Sequence, residues 1–277
     1  MKWNAFYRLM RLDKPIGILL LLYPTVWGLW LANQGMPSFK LFVLFFLGTV
    51  VMRSAGCVIN DIADRNIDKH VSRTKLRPLT AGALNLEDAL FLLALLLVSA
   101  LIILLCLPPA CFFWALVALV ITCIYPFCKR YISAPQVVLG LAFSMGIPMA
   151  YVASGTALNA TTLLLLFINF FWIISYDTMY AMVDKEDDLK IGVKSTAIYF
   201  AHYDLFIIGF LQTTMHLLWL LLAIYSSLGW KFYPLWALAA GILVYQQILI
   251  HQRRPQDCFR SFLISSYYGA LMWLALI

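Results

Sequence analysis

Leu92-Leu93-Ala94-Leu95-Leu96-Leu97-Val98-Ser99-Ala100-Leu101-Ile102-Ile103-Leu104-Leu105 is followed, after Pro108-Pro109, by Phe112-Phe113-Trp114-Ala115-Leu116-Val117-Ala118-Leu119-Val120-Ile121. A membrane-crossing helix needs roughly 20 mainly apolar residues, and each run is the centre of a stretch of about that length. The proline pair between them cannot continue a helix, so two antiparallel spans meet there. The same pattern recurs along the chain. Nine spans are expected, at 16–33, 41–60, 88–107, 109–127, 134–153, 163–182, 199–224, 233–251 and 259–277. Composition agrees: 63% of residues are hydrophobic, 12% are charged, and the mean hydropathy is +0.87. No water-soluble core of this size requires such values, so an all-α polytopic membrane bundle is expected.

Basic residues orient it. With nine spans, the N-terminus and the links after spans 2, 4, 6 and 8 share one side, and 17 of the 20 Lys and Arg residues fall there. Lys40 and Lys231 fall on the other side and Arg53 lies inside the second span. The positive-inside rule then places the N-terminus and those links in the cytoplasm. The formal charge of +7 reads as topology and contact with anionic lipid, not as a nucleic-acid surface. Residues 1–15 read as an interfacial amphipathic stretch, because no small-residue cleavage site follows the first apolar run. The six cysteines have no metal-ligand spacing and read as buried apolar residues.

Most acidic residues sit at or beyond the ends of spans 2 and 6. If the second helix continues past Ile59, then Asn60, Asp64 and Asp68 recur every four residues, with Asp61 three before Asp64, and all share one face. Such a row repels itself unless a cation sits within it, and oxygen ligands without histidine or thiolate favour Mg²⁺. On the sixth span Asp177, Asp184 and Asp188 likewise share a face. The 116 residues between Asp61 and Asp177 suggest a single domain, 1–277, built as a parallel duplication of four helices, 16–127 and 134–251, plus a last helix at 259–277.

Cations accompany both rows. Arg65, Lys69, Arg73, Lys75 and Arg77 follow the first; Lys185, Lys190 and Lys194 follow the second. Tyr125 and Lys129 share a face at the end of the fourth span, beside Arg130. Carboxylates mixed with Lys and Arg suit a phosphorylated ligand whose charge is shared between metal and basic side chains. Arg53 lies two turns deeper than Asn60, about 10 Å at the helical rise. There it either pairs with a buried acid such as Asp177 or receives an anionic part of a substrate. No serine–histidine–aspartate set and no glycine-rich phosphate loop accompanies them. A transporter or Mg²⁺ channel is the rival of another class, and predicts metal flux without chemistry.

The runs Asn60-Asp61-Ile62-Ala63-Asp64-Arg65-Asn66-Ile67-Asp68, Arg73-Thr74-Lys75-Leu76-Arg77-Pro78-Leu79, Tyr125-Pro126-Phe127-Cys128-Lys129-Arg130 and Tyr176-Asp177 through Asp184-Lys185-Glu186-Asp187-Asp188 resemble the UbiA family of intramembrane prenyltransferases. The likeness covers nearly the whole chain, from Leu12-Asp13-Lys14-Pro15-Ile16-Gly17 onward. The sixth-span motif and its Lys194-Ser195-Thr196 tail are most similar to the ubiquinone branch.

The resemblance implies nine helices around a central cavity in a bacterial inner membrane, with Mg²⁺ as cofactor. It implies a polyprenyl diphosphate donor and transfer to 4-hydroxybenzoate, ortho to the phenol hydroxyl. A naphthoate or haem acceptor is the alternative within the family. Asn60, Asp64, Asp68, Asp177, Asp184 and Asp188 become the diphosphate–Mg²⁺ sets, with Asp187 or Asp188 as a water-mediated ligand. Arg65, Lys129 and Tyr125 become contacts to diphosphate, with Asp61, Arg77 and Lys190 beside them, and Arg53 lies near the aromatic acceptor. Asp64, Asp184, Lys129 and Arg65 are the expected catalytic groups. Tyr125, Tyr176 or Tyr180 would face an allylic cation with its ring, a contact worth about 1–2 kcal/mol when desolvated.

Overall fold

A computed structural model of the chain describes residues 2–277. Among these residues every regular element is helical. A short helix, α1 (Lys2–Leu9), precedes α2 (Ile16–Ala32), α3 (Phe39–Asp64), α4 (Leu86–Leu105) and α5 (Ala110–Tyr131). Then come α6 (Pro135–Ser144), α7 (Gly146–Ala153), α8 (Ala160–Ile191), α9 (Thr196–Tyr199), α10 (Asp204–Tyr225), α11 (Phe232–Ile250) and α12 (Pro255–Leu274).

Side-chain chemistry sets several boundaries. The Ser38 hydroxyl caps α3 by accepting from Leu41 N at 3.3 Å. Asn85 and Asp88 exchange side-chain and backbone hydrogen bonds at the start of α4, and Asn159 and Thr162 do the same for α8. Gly192, at φ 71°, ends α8 in the left-handed conformation. The expected span 134–153 is one rod broken at Met145 into α6 and α7. Pro148 has no N–H for the carbonyl of Ser144, and a Cβ on Gly146 would collide with the Thr25 hydroxyl, so the break lets the rod pass close to α2.

Seven of these rods are long and apolar enough to cross a membrane: α3, α4, α5, α6 with α7, α8, the stretch Ala201–Tyr225 that contains α10, and α11. The protein is an all-α polytopic membrane protein. α2 is apolar but has only 17 residues. α12 carries Asp257, Arg260 and three serines.

The helices form a closed ring in which α3, α5, α6, α8, α10, α11, α12 and α2 each pack on the next and α2 returns to α3. α2 also lies against α7 and α8, and it is buried on most of its surface. Apolar all round, it is a core helix. Trp27 sits between Trp172 and Trp219, with ring centroids 5.1 Å from each, and its Nε1 donates to the carbonyl of Gly269 at 3.2 Å. α4 is the opposite case, with only 6% of its apolar window buried, and Leu90, Phe91, Leu95, Val98 and Ile102 face outward. In hydrocarbon that face meets a matching solvent.

The polarity of α12 has its reason in the bundle interior. Gln246 of α11 donates to the carbonyl of Ser261 at 2.8 Å and to the Ser265 hydroxyl at 2.9 Å, and accepts from Gln212 of α10 at 2.9 Å. Buried amides without water need such partners.

Candidate active site

The ends of α3, α5 and α8 meet at one end of the bundle, with the loop 65–85 and the N-terminal segment. Lys129 Nζ donates to Asp64 Oδ2 at 3.0 Å, and Arg130 Nη2 donates to the carbonyl of Ala63 at 2.8 Å. Lys194 N donates to the carbonyl of Lys129 at 2.9 Å, which draws the segment after α8 to the same place. The opposite end is held separately, by Asn33 to Ser154 at 2.9 Å and Thr156 to the carbonyl of Ala32 at 2.9 Å. The two acidic rows, expected at one end, have their helix ends together there.

One expectation is corrected. α3 stops at Asp64, so Asp68 does not continue the face of Asn60 and Asp64; residues 65–67 turn, and Asp68 opens a one-turn 3-10 helix, Asp68–His70. The cause is Arg77. Its Nη1 donates to Asp68 Oδ2 at 2.7 Å and to Asp61 Oδ1 at 3.0 Å, while Arg11 Nη2 reaches Asp61 at 2.8 Å. Asp61 has no exposed surface. Burial disfavours the Arg77 charge, yet the carboxylates of Asp61 and Asp68 hold its pKa above the ordinary arginine value. Asp61, Asp68 and Arg77, expected to meet substrate and metal, are bound to one another here.

Asp64 is different. It is 2% exposed, and Oδ1 is buried with no hydrogen-bond partner. An orphaned carboxylate oxygen beside a lysine is an expensive arrangement unless a cation or a donor completes it.

On α8, Asp184 Oδ1 accepts from Arg73 Nε at 3.0 Å, and Arg73 Nη1 donates to the Tyr180 hydroxyl. The Arg73 guanidinium also lies 4.5 Å from the centre of the Tyr180 ring. Asp187 Oδ2 accepts from Ser72 N at 2.9 Å. The two rows are thus linked through loop 65–85: among the described residues, no group of three or more acidic, histidine or cysteine side chains converges on one point. Asp188 is half-buried beside Asp184. Lys190, mostly exposed, lies 3.7 Å from Asp187, and Arg65 is exposed at the end of α3.

Deeper in the bundle, Tyr125, Tyr176 and Tyr180 lie within electrostatic reach of Arg53, and Asp177 is near Lys129, Gln136 and Arg53. Arg53 makes no ion pair with Asp177 among the described residues. Its Nε is buried without a partner, and its guanidinium stands 5.5 Å from the Phe143 ring centre. Gly17 makes room for it, since a Cβ there would come within 2.5 Å of Nε. Tyr125 and Lys129 share a face as expected, with Nζ 5.7 Å from the ring centre. The Tyr176 hydroxyl is buried and unpaired, its ring edge-on to Trp172 at 5.2 Å.

Carboxylate oxygens, lysine and arginine side chains and unpaired polar atoms at one end of the bundle suit a diphosphate with a hard divalent ion. The sequence profile of the UbiA prenyltransferase family matches residues 21–275. The chain belongs to the UbiA prenyltransferase family. A 4-hydroxybenzoate octaprenyltransferase of Legionella pneumophila is 62% identical over 273 residues, covering 99% of this chain and 97% of that one. Among solved structures, an apo UbiA homologue from Aeropyrum pernix superposes with a TM-score of 0.82 at 21% identity, covering 93% of this chain and 96% of that one. A UbiA homologue from Archaeoglobus fulgidus, bound to GPP and Mg²⁺, gives 0.73 at 18% identity, covering 98% and 99%. These two likenesses establish the fold.

Within this UbiA chain, three contributors escaped the sequence reading. Arg73 was one of several loop cations, and nothing in its spacing singled out its bond to Asp184. Arg11 read as an interfacial charge, because the loop that brings Asp61 to it is a tertiary feature. The third is Asp204, fully buried at the start of α10, whose Oδ1 accepts from Arg253 Nε at 3.0 Å while Lys185 Nζ lies 3.4 Å from Oδ2. That clasp ties the turn after α11 to α8, one residue from Asp184.

Proposed function

We propose that the protein transfers a polyprenyl group from polyprenyl diphosphate to 4-hydroxybenzoate, forming the carbon–carbon bond ortho to the phenol hydroxyl, in ubiquinone biosynthesis. The observation that carries this is the 62% identity over 99% of the chain to a protein named for that transfer. The octaprenyl donor in that name favours an eight-unit tail here.

Asn60, Asp64, Asp177, Asp184 and Asp188 are the residues that would hold Mg²⁺, and the free Oδ1 of Asp64 fits that role. When bound, the ion neutralises the diphosphate and lowers the barrier to its departure. Lys129 and Arg73 supply the fixed positive charge on which the diphosphate oxygens settle. As the allylic C–O bond breaks, electron pair and charge pass to the diphosphate, and the prenyl carbon becomes cationic. Tyr125, Tyr176 and Tyr180 offer ring faces to that cation. Arg53 orients the acceptor through its carboxylate, so that the ring carbon beside the phenol oxygen attacks and then loses its proton. Closure by loop 65–85 and the segment after α8 keeps water from trapping the cation.

In this reading all nine long rods cross the inner membrane, α2 and α12 included, as two four-helix halves, 16–127 and 134–251, plus a last helix. The N-terminus and the acidic end face the cytoplasm. Purified protein in lipid nanodiscs, given 4-hydroxybenzoate and a ladder of polyprenyl diphosphates with and without Mg²⁺, tests the proposal. Prenylated hydroxybenzoate formed only with Mg²⁺ is expected. Turnover with a naphthoate or haem acceptor but not with 4-hydroxybenzoate would overturn it.

A further inference from the structure

A cleft of about 410 Å³ opens beside the acidic end, between residues 66–70 of the loop after α3 and residues 191–193 after α8, with Lys129 and Arg130 of α5 completing its lining. Its chargeable groups are His70, Lys129 and Arg130; no acidic side chain lines it. Such a wall concentrates small anions.

The cleft is also built. Arg130 is fixed to the carbonyl of Ala63 at 2.8 Å, and Lys194 ties the 191–193 segment to the end of α5 through its N to Lys129 and its Nζ to the carbonyl of Tyr131, each at 2.9 Å. Lys129 belongs to both sides. It lines the cleft, is partly exposed, and holds the nearly buried Asp64 through Nζ. One lysine thus stands between water and the candidate diphosphate site.

The chemistry of the proposed reaction requires such a place. Donor and prenylated product are lipids, which enter and leave through the bilayer. Inorganic diphosphate is a water-soluble polyanion that hydrocarbon rejects, and the hydroxybenzoate carboxylate shares that constraint. We propose that this cleft is the aqueous passage for the small anions of the reaction, above all for inorganic diphosphate leaving the site, with Lys129 handing it toward Arg130 and His70. The inference rests on the prenyl-transfer reading.

Val193→Trp places a bulky ring in the cleft, and Arg130→Gln removes a fixed charge. Both variants are compared with the wild type in nanodiscs, in single-turnover experiments with enzyme in excess and in the steady state. For Val193→Trp the expected result is a single-turnover rate within twofold of wild type and a steady-state rate at least tenfold lower, after a burst of about one product per enzyme. For Arg130→Gln, inhibition by added inorganic diphosphate should weaken about tenfold, with the KM for polyprenyl diphosphate little changed. A rise in the KM for 4-hydroxybenzoate in Val193→Trp, reversed at saturating acceptor, would show that the acceptor uses the same passage.

Steady-state rates equal to wild type in Val193→Trp would overturn the proposal. So would an equal fall of both rates, which would assign the cleft to the reacting site itself. Absence of transfer by the wild type is a separate failure, that of the functional reading. In that event ³¹P NMR titration of wild type and Arg130→Gln with inorganic diphosphate still decides, and equal affinity would sink the passage.

Discussion

Two aspartates one turn apart do different work. Asp61 is enclosed by Arg11 and Arg77, whereas Asp64 has one oxygen on Lys129 and one with no partner. Removing one partner of a buried ion pair costs about 3–5 kcal/mol, because the charges left behind are unpaired. Asp61→Ala should therefore lower the thermal midpoint in detergent markedly, and activity should fall with it. Asp64→Ala should retain the wild-type midpoint within a few degrees while nearly abolishing prenyl transfer, as measured by differential scanning fluorimetry and product assay on the same preparations. Equal destabilisation by both would assign Asp64 to structure.

Arg53 and Gly17 give a second test at this scale. Gly17→Ala would push the guanidinium aside without touching its charge. If Arg53 holds the acceptor carboxylate, both Gly17→Ala and Arg53→Ala should raise the KM for 4-hydroxybenzoate, the latter by roughly tenfold or more for a lost charged hydrogen bond, with donor KM nearly constant. Unchanged acceptor kinetics in both variants would leave Arg53 a packing residue.

At the scale of elements, the rods were legible because apolar length is a property of composition. Even the broken rod α6 and α7 lies within the expected 134–153, though its break did not show: Pro148 alone does not say whether a membrane helix bends or stops. The end of α3 was misjudged for an instructive reason. A four-residue period in Asn60, Asp64 and Asp68 is a local signal, and it lost to a contact with Arg77, which no local pattern encodes. Arg73 was hidden in the same way. Its bond to Asp184 fastens loop 65–85 to α8, so Arg73→Ala should let that loop open more often. Limited chymotrypsin digestion should then cut after Leu76 or Leu79 several-fold faster than in wild type, with the helical rods still protected. An unchanged cleavage rate would mean that Ser72 and Arg77 hold the loop without it.

The whole molecule is asymmetric along its axis. One end is closed by ion pairs among Asp61, Asp64, Asp68, Asp184 and Asp204 and their basic partners; the other is held by neutral contacts such as Asn33 to Ser154. With the basic residues at the ionic end, that end should face the cytoplasm. Single cysteines at positions 190 and 231, in a background cleared of exposed cysteines, should react with a membrane-impermeant maleimide from opposite sides of sealed inverted vesicles. Labelling from the same side would reverse the assignment.

The central position of α2 bears on how the protein is made. α2 leaves the ribosome before the helices that enclose it, yet the face carrying Trp27 and Trp30 meets α12, through the bond to Gly269 and the edge-on pair with Trp273 at 5.3 Å. Until the last segment has been inserted, Trp27 Nε1 and the Trp30 ring lack their α12 partners, and the ring of helices cannot shut. Completion of the fold should therefore depend on α12: chains truncated at residue 254 should be degraded within minutes in pulse-chase labelling, while the full chain persists. Supplying α12 as a separate peptide from the same cell should rescue them, and a stable truncated chain would show that α2 needs no final partner.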